Sequence, residues 1–178
     1  AALLLFPYLL VLGTVWQARR VLFPTTPFHE LIPGILIGRR LFPHEYPASV
    51  ECVVDLTCEM PEFRKVARSK RYLSFPILDG HVPKPGDLLD LVRRIDDTSG
   101  TTYIHCAEGY GRTGMVAAAI LLARGLARDV DEAVRHVRRK RPGVRLRRAQ
   151  QRAVAHVARA LGATEPTHQP SRKHHAER

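Results

Sequence analysis

The stretch TTYIHCAEGYGRTGMVAAAILLARG, residues 101–125, constrains the fold more than any other part of the chain. It starts rich in β-branched and aromatic residues, which reads as a strand. It ends in an unbroken apolar run from Met115 to Ala123, and a helix apolar nearly all round sits in the middle of a domain. Only five residues, Ala107 to Gly111, join the two. Further strands are predicted at ILIG (35–38), ECVVDLT (51–57) and RYLSFPI (71–77), and amphipathic helices over 86–97, 129–141 and 147–161. Strands interleaved with helices give an α/β domain: a central, mostly parallel twisted sheet flanked by helices. The chain of 178 residues is long enough for one such domain with a real core. The expected bounds are residues 19–162, followed by a disordered tail over 163–178.

The five-residue loop holds two glycines, Gly109 and Gly111. A short loop opening a helix can turn its backbone N–H groups inward and form an anion nest. Ala107, Glu108, Gly109, Tyr110 and Gly111 would supply that cradle, and a tetrahedral phosphate fits it. Arg112 ends the loop, and its planar fork matches two phosphate oxygens. Cys106 lies at the bottom of this positive bowl. Helix N-termini and nearby cations lower a thiol from about 8.5 to anywhere between ~3.5 and ~7.5, so Cys106 is expected to be a thiolate. A thiolate facing a phosphoryl group is a nucleophile in line with its target. Thr113 can donate its hydroxyl to the sulfur. His105 alternates to the opposite face of the strand and is expected to orient the loop backbone. No cysteine or histidine spacing suggests a metal site, and three cysteines do not make a disulfide framework.

HCAEGYGRTG resembles the HCxxGxxRTG signature loop of the cysteine-dependent protein tyrosine phosphatases, in the dual-specificity branch. The resemblance covers roughly residues 30–160. It implies a metal-free, cofactor-free phosphomonoesterase. Cys106 would form a phosphocysteine, Arg112 would hold the phosphoryl group, and Thr113 would speed breakdown of the intermediate. The family's general acid is an Asp on a mobile loop upstream, and FPILDGHVPKPG offers Asp79 for it, with His81 behind it. Asp87 and Asp90 fall at the start of the next helix, where carboxylates commonly serve the helix end. Glu59, in DLTCEMPE, stands where similar phosphatases carry a Glu that braces the loop; a surface carboxylate is the alternative. Cys58 is either a small buried hydrophobe or a disulfide partner for Cys106. Gln150 either positions the hydrolytic water or sits on a solvated helix face. Relatives that cleave phosphoinositides usually place lysines in the loop; Glu108 here disfavours a polyphosphorylated ring.

Residues 1–18 carry no charge and are followed by Arg19 and Arg20. That reads as a membrane-spanning or anchoring segment, with Trp16 at the interface and the domain held on the cytoplasmic side. The alternative is an apolar helix packed on the domain. The net charge of +11 favours acidic partners. Nine basic residues and no acid fall within 133–152, where a solvated face, a membrane surface and, less favoured, nucleic acid all remain open. The substrates expected are a phosphotyrosine or phosphoserine/threonine protein, or alternatively a monophosphorylated membrane lipid such as phosphatidylglycerophosphate or a phosphoinositide. The rival from another class is a non-catalytic phosphate-binding module.

Overall fold

The computed structural model describes residues 11, 13–18, 20, 22, 25–84 and 86–162. Five strands form one sheet: β1 (Phe28–Ile32), β2 (Ile35–Arg39), β3 (Val50–Asp55), β4 (Arg71–Ser74) and β5 (Thr101–Cys106). Their spatial order is β1-β2-β5-β3-β4. β2, β5, β3 and β4 run parallel, and β1 pairs antiparallel with β2 at the edge. The helices are α1 (Arg64–Ser69), α2 (Asp87–Asp96), α3 (Gly111–Ala123), α4 (Val130–Lys140) and α5 (Arg148–Ala160).

The two faces of the sheet bury different sets. Ile35, Ile37, Val54, Ile104 and Cys106 join α2–α5 in the larger core. Leu36, Val53 and Tyr103 face the other way, with Leu41, Tyr46 and Val66 of α1. α3 is the central helix, with every residue from Arg112 to Leu122 buried. It therefore carries no polar face, and its amphipathic neighbours α4 and α5 cover it. Asp129 caps α4 by accepting from the Glu132 N–H at 2.7 Å.

Two elements escape the sequence pattern. β1 (FHELI) is a short edge strand with one buried residue, and α1 buries only Val66. β4 also stops short of the predicted 71–77. The chain beyond it still follows β3, with the Phe75 N–H bonded to Asp55 O at 2.9 Å and Ile77 N–H to Leu56 O at 3.1 Å.

Residues 1–10 and the tail 163–178 lie outside the described residues. Of the described residues before β1, 11, 13–18, 20 and 22 are helical. Trp16 is not at an interface with lipid: it is 8% exposed and packs edge-on against Phe42 at 5.4 Å. Arg20 stacks over both rings and pairs with Glu45 at 2.7 Å. A ring that touches both a guanidinium and a phenyl edge gains cation–π and aromatic contacts together. Trp16 and Arg20 thus pack against Phe42 and Glu45 of the loop after β2. No helix among the described residues is long and apolar enough to cross a membrane.

Candidate active site

β5 delivers Cys106 to the C-terminal rim of the sheet, where Gly109 turns the chain back at φ +74°. A side chain at 109 would meet the backbone of Gly38 at 2.2 Å, so only glycine fits between the loop and β2. In this turn the Gly109 N–H points at Cys106 Sγ, 3.3 Å away. The loop is fastened to β2 by the Arg40 N–H on Ala107 O.

Arg112 is buried and reaches across to the loops after β3 and β4. Its Nη2 lies 2.6 Å from Glu59 Oε1 and its Nη1 2.8 Å from Glu59 Oε2. Nη1 also donates to Ile77 O at 2.9 Å. Burial would lower the Arg112 pKa. Hydrogen bonding to Glu59 and the fields of Cys106, Glu59 and Asp79 outweigh it, and the net shift is upward. Burial likewise pushes Glu59 up, and the Arg112 hydrogen bonds bring it down to about 2. One edge of the fork is thus spent on Glu59. Nε on the other edge is buried without a hydrogen-bond partner among the described residues.

Asp79 enters the same pocket from the loop after β4. Its carboxylate is 79% exposed, with Oδ1 3.4 Å from Arg112 Nη2. His81 turns back to its own loop, with Nδ1 3.1 Å from Asp79 O. Asp87 and Asp90 stand in the first turn of α2, where Asp90 pairs with Arg93. Gln150 is buried, not on a solvated face. Its side chain accepts from the Arg147 N–H at 3.0 Å and lies against Gly111. Gln151 instead bonds Leu146 O. Thr113 Oγ1 is buried with no partner among the described residues; no hydrogen bond to Cys106 is formed. Cys58 is neither buried nor bridged: it is exposed, and all three cysteines are free thiols.

His105 does not hold the loop backbone through its ring. The ring is fully buried on the far side of β5, with Nε2 3.1 Å from Glu62 Oε2 and Nδ1 3.9 Å from Asp55 Oδ1. Burial raises the Glu62 pKa, but His105 and Arg40 pull it below the ordinary value. Asp55, Glu62 and His105 hold ligand atoms within 4.8 Å of one another. Thr57, Tyr72 and Tyr46 donate to the carboxylates, and the His105 ring of β5 is held beside them by charge and packing, neither of its nitrogens meeting hydrogen-bond geometry among the described residues.

Sequence reasoning missed Arg141. It lies in the basic run but is 1% exposed, beneath the loop. Its Nε donates to Gly109 O at 2.7 Å, its Nη2 to Glu108 O at 3.2 Å and its Nη1 to Thr26 O at 3.1 Å. Its guanidinium stacks on Tyr110 at 4.8 Å. Fixing the Glu108 carbonyl toward Arg141 turns the Gly109 N–H of the same trans peptide toward the sulfur. The one signal available was the Pro142-Gly143 pair, which ends α4 and makes Arg141 a terminal rather than a facial residue.

A thiol at the end of a central parallel strand, an amide-lined loop and a buried arginine opening the next helix define a dual-specificity or tyrosine phosphatase. Residues 43–172 match the model of the PTP-SAK family, described as Swiss Army Knife protein, DSP-PTPase phosphatase domain. The chain belongs to that family of cysteine-dependent phosphatases. It is similar to protein 197R of Invertebrate iridescent virus 6, described as a candidate tyrosine phosphatase. The two are 34% identical over 84 residues, 40% of this chain and 31% of the viral one, so the match spans about a third of the relative's length. Among solved structures, Tk-PTP in its active form is 28% identical, with a TM-score of 0.67, covering 77% of this chain and 98% of that one. PTPMT1 in complex with PI(5)P has the same TM-score of 0.67 at 17% identity over 78% of this chain and 98% of that one, which shows the shared fold alone.

Proposed function

We propose that the chain hydrolyses phosphomonoesters of tyrosine, serine and threonine through a phosphocysteine at Cys106. The observation that carries this reading is the convergence of Cys106, Asp79 and the unpaired Nε of Arg112 on one rim. The N–H groups of residues 107–112 and that Nε hold the phosphoryl oxygens. The sulfur anion attacks phosphorus, and the P–O bond to the leaving group breaks. Asp79 gives its proton to the departing oxygen. Water then attacks the S–P bond: Asp79 takes the proton, Gln150 orients the water, and Thr113 donates its hydroxyl to the leaving sulfur. Glu59 keeps Arg112 extended through both half-reactions, and no step needs a metal or cofactor.

Hydrolysis of p-nitrophenyl phosphate that is abolished by Cys106→Ser and insensitive to EDTA supports this reading. A trapped phosphocysteine would establish it, and absence of turnover would leave the phosphate-binding module. A monophosphorylated membrane lipid is the second substrate class. Leu78 and Val82, on either side of Asp79 in sequence, expose apolar side chains, as a lipid substrate would want. A panel of phosphopeptides, phosphatidylglycerophosphate and phosphoinositides separates the classes.

Residues 1–18 are the proposed membrane anchor, with the domain on the cytoplasmic side. The apolar run supports this, and so do Val11, Val15 and Leu22, which turn apolar side chains away from the domain. Fractionation of cells expressing the chain with and without residues 1–10 tests it.

A further inference from the structure

The loop that carries Asp79 continues past the pocket to the N-terminal end of α2 and lies against α5. Between them is a groove of about 310 Å³. Leu88, Leu89 and Val157 line it, and Lys84, Arg152 and His156 stand in its walls. No carboxylate lines it; Asp87 and Asp90 of α2 stay outside. α5 has no acidic residue at all, and Arg148 and Arg152 are exposed along it. Val82 lines the groove too, and exposed Leu78 precedes Asp79 on the same loop.

A greasy cleft flanked by two cations, Lys84 and Arg152, is complementary to the boundary zone of an anionic bilayer. There, phosphate headgroups overlie the upper acyl chains. A nucleic acid would want stacking rings, and neither α5 nor the segment 78–86 contains Phe, Tyr or Trp. α1, on the other face of the sheet, is basic as well, with Arg64, Lys65 and Arg68, but no apolar groove accompanies its cations among the cavities described.

We propose that this face docks the domain on anionic phospholipid bilayers, with Lys84, Arg152 and His156 meeting headgroups and Val82 entering the interface. Docking in this way brings the Cys106 rim to phosphoesters at the membrane surface. It requires neither residues 1–18 nor a particular substrate, so it stands apart from the catalytic reading.

The test uses the full chain and vesicles of phosphatidylcholine with or without phosphatidylglycerol. An apolar anchor binds both kinds; the docking face binds the anionic kind roughly tenfold tighter, and salt removes the difference. K84E/R152E should abolish that preference. R64E/R68E, the same charge change on α1 across the sheet, should leave it within about twofold. Both variants should turn over p-nitrophenyl phosphate at the parent rate without vesicles, which confirms folding. A second readout avoids charge reversal: V82W should add fluorescence, beyond that of Trp16, that brominated phosphatidylglycerol quenches. The proposal is overturned by equal binding to both vesicle types, by equal loss in both charge variants, or by an unquenched V82W. Tighter capture of RNA or of an acidic peptide than of anionic vesicles at the same face would also sink it.

Discussion

Arg112 and Glu59 meet end to end, with two contacts of 2.6 and 2.8 Å between guanidinium and carboxylate. Both side chains are largely shielded from solvent, so the pair is held by geometry rather than by chance on a surface. Glu59→Gln keeps the shape and removes the charge. We expect kcat/KM for aryl phosphates to fall about 30-fold, since a charged hydrogen bond at a buried site is worth roughly 2 kcal/mol. The loss should fall mainly on turnover, because Arg112 would no longer be extended toward the reacting group. Steady-state kinetics of E59Q would refute the bracing role by matching the parent.

The same pair sets an acid limit on stability. Glu59 falls from 4.5 to about 2 on folding. A depressed carboxylate stabilises the fold fully above its unfolded pKa, and that stabilisation drains away as pH falls through the folded one. Here the window is pH 4.5 down to about 2, and the share at stake is roughly 3 kcal/mol. Urea midpoints of the parent should drop across that window, and those of E59Q should drop less. Parallel curves would show that Glu59 carries no such linkage.

Gly109→Ala should be among the most damaging small substitutions. Its methyl would stand 2.2 Å from Gly38 backbone at a φ of +74°, so either the loop or β2 must move. We expect activity to fall at least ~100-fold and vanadate binding to be lost, because the nest N–H groups no longer converge. The protein should still give a cooperative melt, since the core lies below the loop. Retained vanadate affinity in G109A would mean that the loop tolerates the displacement.

Much of this site is legible in the sequence because its parts are local. Cys106, the glycine loop and Arg112 are consecutive, and the strand before and the buried helix after them announce themselves by composition. Asp79 is legible because a loop rich in proline and glycine follows a strand. The parts that failed are tertiary. Arg141 sits in a run of cations that reads as a solvated face, and only the fold places it beneath Glu108 and Gly109. Trp16 reads as interfacial until Phe42, Arg20 and Arg40 surround it. Alternation along β5 sends His105 to the far face, but its partners Asp55 and Glu62 come from another strand and its loop. β1 and α1 bury too little for any period to show.

Asp79→Asn separates acid catalysis from phosphate binding. The proton matters most when the leaving oxygen is basic. Hydrolysis of phenyl and alkyl phosphates should slow ~100-fold or more, and that of an activated dinitrophenyl ester only a few-fold. Alkylation of Cys106 by iodoacetate should proceed at the parent rate. A uniform loss across leaving groups would assign Asp79 to positioning Arg112, to which it lies 3.4 Å away.

Arg141 gives the sharpest test of how the loop is shaped. Three of its nitrogens hold three carbonyls, two of them in the loop, and burial lowers its pKa. A lysine ammonium is one point and cannot span Glu108 O, Gly109 O and Thr26 O together. R141K should therefore keep the fold but weaken phosphate and vanadate binding about tenfold, as a rise in KM exceeding the fall in kcat. R141A should lose both, with Tm down by several degrees, because each freed carbonyl costs roughly 1–3 kcal/mol. Tyr110, which stacks on Arg141 and would touch any side chain at Gly143, should become mobile with it. Loop-residue amide exchange faster in R141K than in the parent would tie the kinetic loss to the loop. Unchanged exchange with the same kinetic loss would place the effect elsewhere.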